Sequence, residues 1–128
     1  MSDWAAPLAL RDLAMRYALA VDSRDPGMLA AIFTADGVMR SQGGGAVLYA
    51  APDGGGRMIA AVESSFARTL HNVFNQTFER DADGAVSGLT TGIASHILQG
   101  DGGDLVDFAM RYHDRYAEEG GVWKFRER

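Results

Sequence analysis

The chain contains no cysteine, which removes disulfides, thiolate metal sites and a cysteine nucleophile together. It has only three histidines, so acid–base chemistry near neutral pH has few side chains to rest on. Basic residues are also sparse: 12 Lys and Arg against 17 Asp and Glu leave a formal net charge of -5. They are scattered along the chain, whereas binding to nucleic-acid phosphates wants a clustered basic face, so no nucleic-acid partner is expected. No apolar run approaches the roughly 20 residues that span a bilayer. The start Met1-Ser2-Asp3-Trp4-Ala5-Ala6-Pro7 lacks the basic and then apolar order of a secretory leader. The expectation is a soluble cytoplasmic protein with no membrane partner.

What is present suffices for one core. At 128 residues and 47% hydrophobic content, the chain has the size of one ordinary domain, taken as residues 1–128. Leu10, Leu13, Ala14, Tyr17, Ala18 and Val21 recur at helical spacing, and Pro7 suits a first turn, so residues 7 to 22 read as an amphipathic helix. Asp25-Pro26 offers an N-cap followed by an N1 proline for a short second helix that carries Leu29, Ile32 and Phe33. Ala35-Asp36-Gly37 reads as a turn. Two short strands, 37 to 41 and 46 to 49, flank the triplet Gly43-Gly44-Gly45. A second triplet, Gly54 to Gly56, precedes a third helix with Ile59, Val62 and Phe66 on its apolar face. Strands are then expected over 69 to 80, 85 to 98, 104 to 117 and 121 to 127, with Asp- and Gly-rich turns between them. Helices first and a long antiparallel meander afterwards make an α+β plan, with helices covering one face of a curved sheet.

Two residues stand out for chemistry. Asp22 lies at the end of the first helix and His71 on the first long strand; a carboxylate that holds one nitrogen of an imidazole makes an acid–base dyad. Strand alternation puts His71, Val73, Asn75 and Thr77 on one face, with Asn72, Phe74 and Phe78 on the other. On the next strand His96 shares a face with Ala94, Gly92, Thr90 and Gly88, small residues that leave room above the sheet. Tyr17 sits on the buried stripe about 140° from Asp22 on an ideal helix, so both reach one pocket only if the helix ends near Val21. Alternation sets Arg128 with Lys124 and Arg126 on a charged outer face, and only a β-bulge would turn it inward. His113 with Arg111 reads as a solvated face, and Asp114 as a structural partner within the sheet.

These elements, in this order, resemble the SnoaL-like branch of the NTF2-like superfamily, a cone-shaped α+β barrel whose members include dehydratases and a dehydrochlorinase. The carriers are Arg16-Tyr17, Val21-Asp22-Ser23-Arg24-Asp25, Ile32-Phe33-Thr34-Ala35-Asp36-Gly37, Thr69-Leu70-His71-Asn72-Val73-Phe74-Asn75, Arg111-Tyr112-His113-Asp114 and Gly121-Val122-Trp123-Lys124-Phe125. The resemblance implies that Asp22 and His71 form the pocket dyad, that His96 is a second pocket histidine, and that Tyr17 and Arg128 occupy active-site positions. Two tyrosines that scytalone dehydratase uses to hold a water have no counterpart here, since Val21 and the stretch around Met39 stand in their places.

The functional expectation is a cofactor-independent lyase or isomerase acting on a small, mostly apolar substrate. His71, Asp22, His96 and Tyr17 are its catalytic candidates, with Asn75 and Arg128 as substrate-binding candidates. One alternative is a non-catalytic module that uses the same cone to bind a small ligand or to oligomerise. A metal site from His71, His96 and Asp22 is a third reading, weakened by the lack of a closely spaced histidine pair. The resemblance also implies a homo-oligomer, dimer or trimer, and the apolar set Leu89, Ile93, Ile97, Val106, Phe108 and Met110 is available either for that contact or for the helices.

Overall fold

The computed structural model describes residues 5–42 and 45–128, so Gly43 and Gly44 of the first glycine triplet lie outside the described residues. Helix α1 spans Ala6–Asp22 and buries Leu10, Leu13, Tyr17 and Val21 on one stripe. Helix α2, Pro26–Ala31, begins at Asp25, whose Oδ1 accepts from the Met28 N–H at 2.9 Å. That bond satisfies one of the otherwise orphaned donors of the first turn. Asp25→Ala is expected to cost about 1 kcal/mol of folding stability, read as a lower urea midpoint at unchanged slope.

The remaining elements are β1 (Phe33–Arg40), β2 (Val47–Ala50), α3 (Gly54–Ser65), β3 (Phe66–Arg80), β4 (Val86–Leu98), β5 (Leu105–Glu119) and β6 (Val122–Glu127). They confirm an α+β fold with the three helices early in the chain. Six strands form one mixed sheet in the order β2-β1-β6-β5-β4-β3, with β1 parallel to β6 and the other neighbours antiparallel. β2 and β3 are its two edges, so the sheet does not close. The helices pack on its inner face around Leu10, Leu29, Phe33, Tyr49, Tyr116 and Phe125. Each such side chain, fully buried, contributes roughly 1.5–3 kcal/mol of transfer free energy.

Two sequence expectations are corrected here. Ala35-Asp36-Gly37 is part of β1 and not a turn. Gly37 is needed for close packing: a Cβ there would stand 2.9 Å from the Phe33 Cβ and 3.1 Å from the Phe125 carbonyl oxygen. The Gly54–Gly56 triplet forms the first turn of α3 instead of preceding it.

The apolar set on β4 and β5 is also divided. Register pairs His96 with Val106, Ala94 with Phe108 and Gly92 with Met110, and paired residues point to the same side of a sheet. Val106, Phe108 and Met110 therefore share the inner face, and Leu89, Ile93 and Ile97 the outer one.

Candidate functional site

α1 ends where the site begins. Asp22 is its last residue and Ser23 its C-cap, which frees the Asp22 side chain from the helical stripe and resolves the angular separation from Tyr17. The Asp22 Oδ1 lies 2.7 Å from His71 Nδ1, and Oδ2 accepts from the His71 backbone N–H at 2.8 Å. Thr69, two residues earlier on the same face of β3, donates its hydroxyl to Oδ1 at 2.9 Å. Both side chains of this pair are largely shielded, 9% exposed for His71 and 17% for Asp22. Tyr17 meets the His71 ring edge-on with centroids 5.9 Å apart.

Burial pushes the Asp22 carboxyl up, but the side-chain and backbone bonds from His71, its charge and the Thr69 hydroxyl together hold it below its ordinary value. A carboxylate lowered in the folded state contributes stability that is present above its unfolded value, near 3.8, and is lost as pH falls through the folded value. Asp22→Asn abolishes that contribution. The difference in urea midpoint between wild type and Asp22→Asn is therefore expected to narrow on acidification from neutral pH to below 3.8.

His96 stands on the same inner face, its ring centroid 5.7 Å from that of His71. It is packed between Phe66 and Phe108, at 4.1 and 5.0 Å. Only 6% of it is exposed, and neither ring nitrogen has a hydrogen-bond partner among the described residues. Burial, then the positive charge His71 can carry, pushes the His96 pKa down and favours the neutral ring.

A cavity lies against the His71 ring, lined by Tyr17, His71, Gly92, Met110, Tyr112 and Arg128 among others. Its volume, about 10 Å³, is close to the room of a single water. Gly92 is part of what keeps β3 and β4 close at this point: a Cβ there would stand 2.5 Å from the Asn72 carbonyl oxygen. Because that atom is backbone, Gly92→Ala forces the strands apart and is expected to cost about 1–3 kcal/mol, measured by chemical denaturation.

Arg128 is turned inward. Tyr116 faces Phe125 and Arg115 faces Glu127, two residues of β6 against one of β5, and the bulge reverses the parity of everything after Phe125. The outer-face placement from strict alternation is thereby corrected. The guanidinium is fully buried and donates from Nη1 to Asp114 Oδ2 at 3.1 Å, with Asp114 equally buried. It stacks over Tyr112 at 3.8 Å and Tyr17 at 4.5 Å, while its Nε and Nη2 find no partner among the described residues. Burial raises the Asp114 carboxyl despite the opposing pull of Arg128. Burial, with the Tyr112 and Asp114 neighbours, also drives the Tyr17 phenol far above its ordinary range. Tyr17 thus enters any chemistry as a neutral hydroxyl.

Asn75 is not in the site. Val73 faces Gly92 and Gln76 faces Thr90, three residues of β3 against two of β4, and this second bulge sends Asn75 outward. Gln76 takes the inner position and donates to Thr90 Oγ1 at 3.1 Å. The same reversal turns Phe78 inward, where it meets Tyr116. The three-residue metal arrangement is not assembled either: Asp22 engages His71 directly, and no group of three or more His, Cys, Asp or Glu suited to a metal stands together among the described residues.

Tyr112, Thr69 and Arg24 were not singled out from the sequence, although each touches the site. Tyr112 shares the parity of Asp114 and sits opposite Thr90, a signal available from alternation alone. Thr69 shares the parity of His71.

The sequence profile of the SnoaL-like domain matches residues 3–128. The chain belongs to the SnoaL-like family. Among solved structures, hexachlorocyclohexane dehydrochlorinase LinA type 2 superposes with a TM-score of 0.83 at 27% identity, over 96% of this chain and 82% of that one. LinA type 3 from Novosphingobium barchaimii LL02 gives 0.83 at 27% identity, over 96% and 83%. A protein from Novosphingobium aromaticivorans provisionally named a scytalone dehydratase gives 0.78 at 19% identity, over 94% and 78%, and shares the fold. No match was found among curated proteins. None of the described helices is long and apolar enough to cross a membrane.

Proposed function

We propose that this SnoaL-like protein is a cofactor-independent lyase or isomerase that abstracts a proton from a small, mostly apolar substrate. The observation that carries the proposal is the 2.7 Å contact between Asp22 Oδ1 and His71 Nδ1, made by a ring that also lines an apolar cavity. With Nδ1 held by the carboxylate, Nε2 offers the lone pair that takes the proton, and Asp22 stabilises the imidazolium that results. The electrons of the broken C–H bond form a double bond as the leaving group departs with its own pair. Tyr17, as a neutral phenol, donates a hydrogen bond to the developing negative charge. Arg128, whose Nε and Nη2 find no partner among the described residues, donates to the same charge from the cavity wall, and His96, neutral, stands beside the His71 ring. Relatives named for dehydrochlorination share the fold at 27–28% identity, and this class of elimination suits the dyad.

Incubation without cofactor, against a panel of small polychlorinated rings and β-hydroxy or β-halo carbonyl compounds, tests the proposal by product analysis. An unsaturated product from wild type, formed far more slowly by Asp22→Asn, supports it. Binding of panel compounds without conversion supports the second reading, a non-catalytic ligand-binding module. A homo-oligomer, dimer or trimer, is part of the same proposal and is checked by sedimentation.

A further inference from the structure

The carboxylate of Asp22 is the end of a longer chain of hydrogen bonds. The Arg24 Nη1 donates to Thr69 Oγ1 at 2.7 Å and to the Val21 carbonyl oxygen at 2.7 Å. Thr69 Oγ1 in turn donates to Asp22 Oδ1 at 2.9 Å. A guanidinium is donor-only and a threonine hydroxyl has a single proton. Because Thr69 accepts from Arg24 on one side, its proton is directed to Asp22 on the other. Three donors then hold the Asp22 carboxylate, Thr69 and the His71 ring on Oδ1 and the His71 backbone N–H on Oδ2.

The backbone supports the same arrangement. Arg24 has φ 57, and among the described residues it is the one non-glycine in the left-handed region, a conformation that ordinary side chains seldom adopt. It occurs in the turn that follows Asp22, and the Arg24 N–H also donates to the Val21 carbonyl oxygen at 3.2 Å. The Arg24 side chain therefore clamps the last turn of α1 to β3, with Asp22 between them.

We propose that Arg24 and Thr69 are positioning residues of the dyad: together they set the orientation of the Asp22 carboxylate, and through it the tautomer of His71 with the proton on Nδ1 and the lone pair on Nε2. The proposal rests on the proton-abstraction reading, since a free Nε2 is what that chemistry requires. It requires no contact between either residue and substrate.

Imidazole ¹H–¹⁵N correlation spectra of the purified protein, at a pH where the His71 ring is neutral, test this without a substrate. His71 is identified by its loss in His71→Gln. Wild type is expected to show a single Nδ1–H tautomer. Thr69→Val and Arg24→Met are each expected to mix in the Nε2–H tautomer, while Thr69→Ser, which keeps the hydroxyl, retains the wild-type pattern. If Thr69→Val fails to fold, Arg24→Met carries the test, because its side chain is part-exposed. Spectra of the folded variants that keep the unmixed wild-type tautomer overturn the positioning roles and leave the dyad intact. A wild-type ring protonated on Nε2 overturns the dyad reading, and the positioning roles with it.

Discussion

Replacing His71 by Ala is expected to lower turnover of a genuine substrate by roughly 10²- to 10⁴-fold, the usual worth of a positioned general base. The physical reason is local. The ring is held on one side by Asp22 at 2.7 Å and braced by Tyr17 and His96 on others, so no nearby group can move in to replace it. His96 is the nearest alternative base, but its packing between Phe66 and Phe108 leaves it no carboxylate to stabilise an imidazolium. Asp22→Asn is expected to keep the ring in place and still lose much of the rate, because an amide stabilises a developing positive charge less well than a carboxylate. The loss is expected in kcat at largely unchanged KM, since the interaction is stronger in the transition state than in the bound substrate.

The second large effect concerns the floor of the cavity. Arg128 and Asp114 form an ion pair with both side chains fully buried, and burial itself raises the Asp114 carboxyl. Ionising Asp114 therefore works against desolvation, and the pair is better understood as a device that holds the Arg128 guanidinium against Tyr112 and Tyr17 than as a source of net stability. Removing one partner has a different consequence. Asp114→Ala leaves a guanidinium buried without its counter-charge and is expected to destabilise the fold by about 3–5 kcal/mol. Combining it with Arg128→Met removes both charges, and the double variant is expected to recover much of that loss. Urea denaturation of the two single variants and the double variant reads the coupling directly.

Much of this site was legible in the sequence because helices and unbroken strands obey fixed periods. The stripe of Leu10, Leu13, Tyr17 and Val21, the cap at Asp25, and the inward face of Gly88, Thr90, Gly92, Ala94 and His96 follow from spacing alone. The meeting of Asp22 with His71, 49 positions later, came from family resemblance, since no local rule joins a helix end to a particular strand.

Part of what was not legible traces to two inserted residues. A bulge adds one residue to a strand and reverses the facing of all that follow. One bulge exchanged Asn75 for Gln76 on the inner face, and the other turned Arg128 from the charged outer face into the core. Gly37 misled for a related reason: a glycine required for close packing against Phe33 looks, in sequence, like a glycine required for a turn. Arg24 carries no sequence signal, because an arginine after a helix end is ordinarily solvated, and its acceptor on Thr69 lies 45 positions away.

The central claim, that His71 removes a carbon-bound proton in the step Asp22 assists, is tested most directly by an isotope effect. A converted substrate would be prepared with deuterium at the carbon that loses its proton, and its kcat/KM compared with that of the protonated compound in wild type and in Asp22→Asn. Slower turnover of the deuterated compound by wild type, with the isotope effect retained or larger in Asp22→Asn, is the predicted result. Equal rates for the two compounds in both proteins, together with undiminished turnover in His71→Ala, would contradict it.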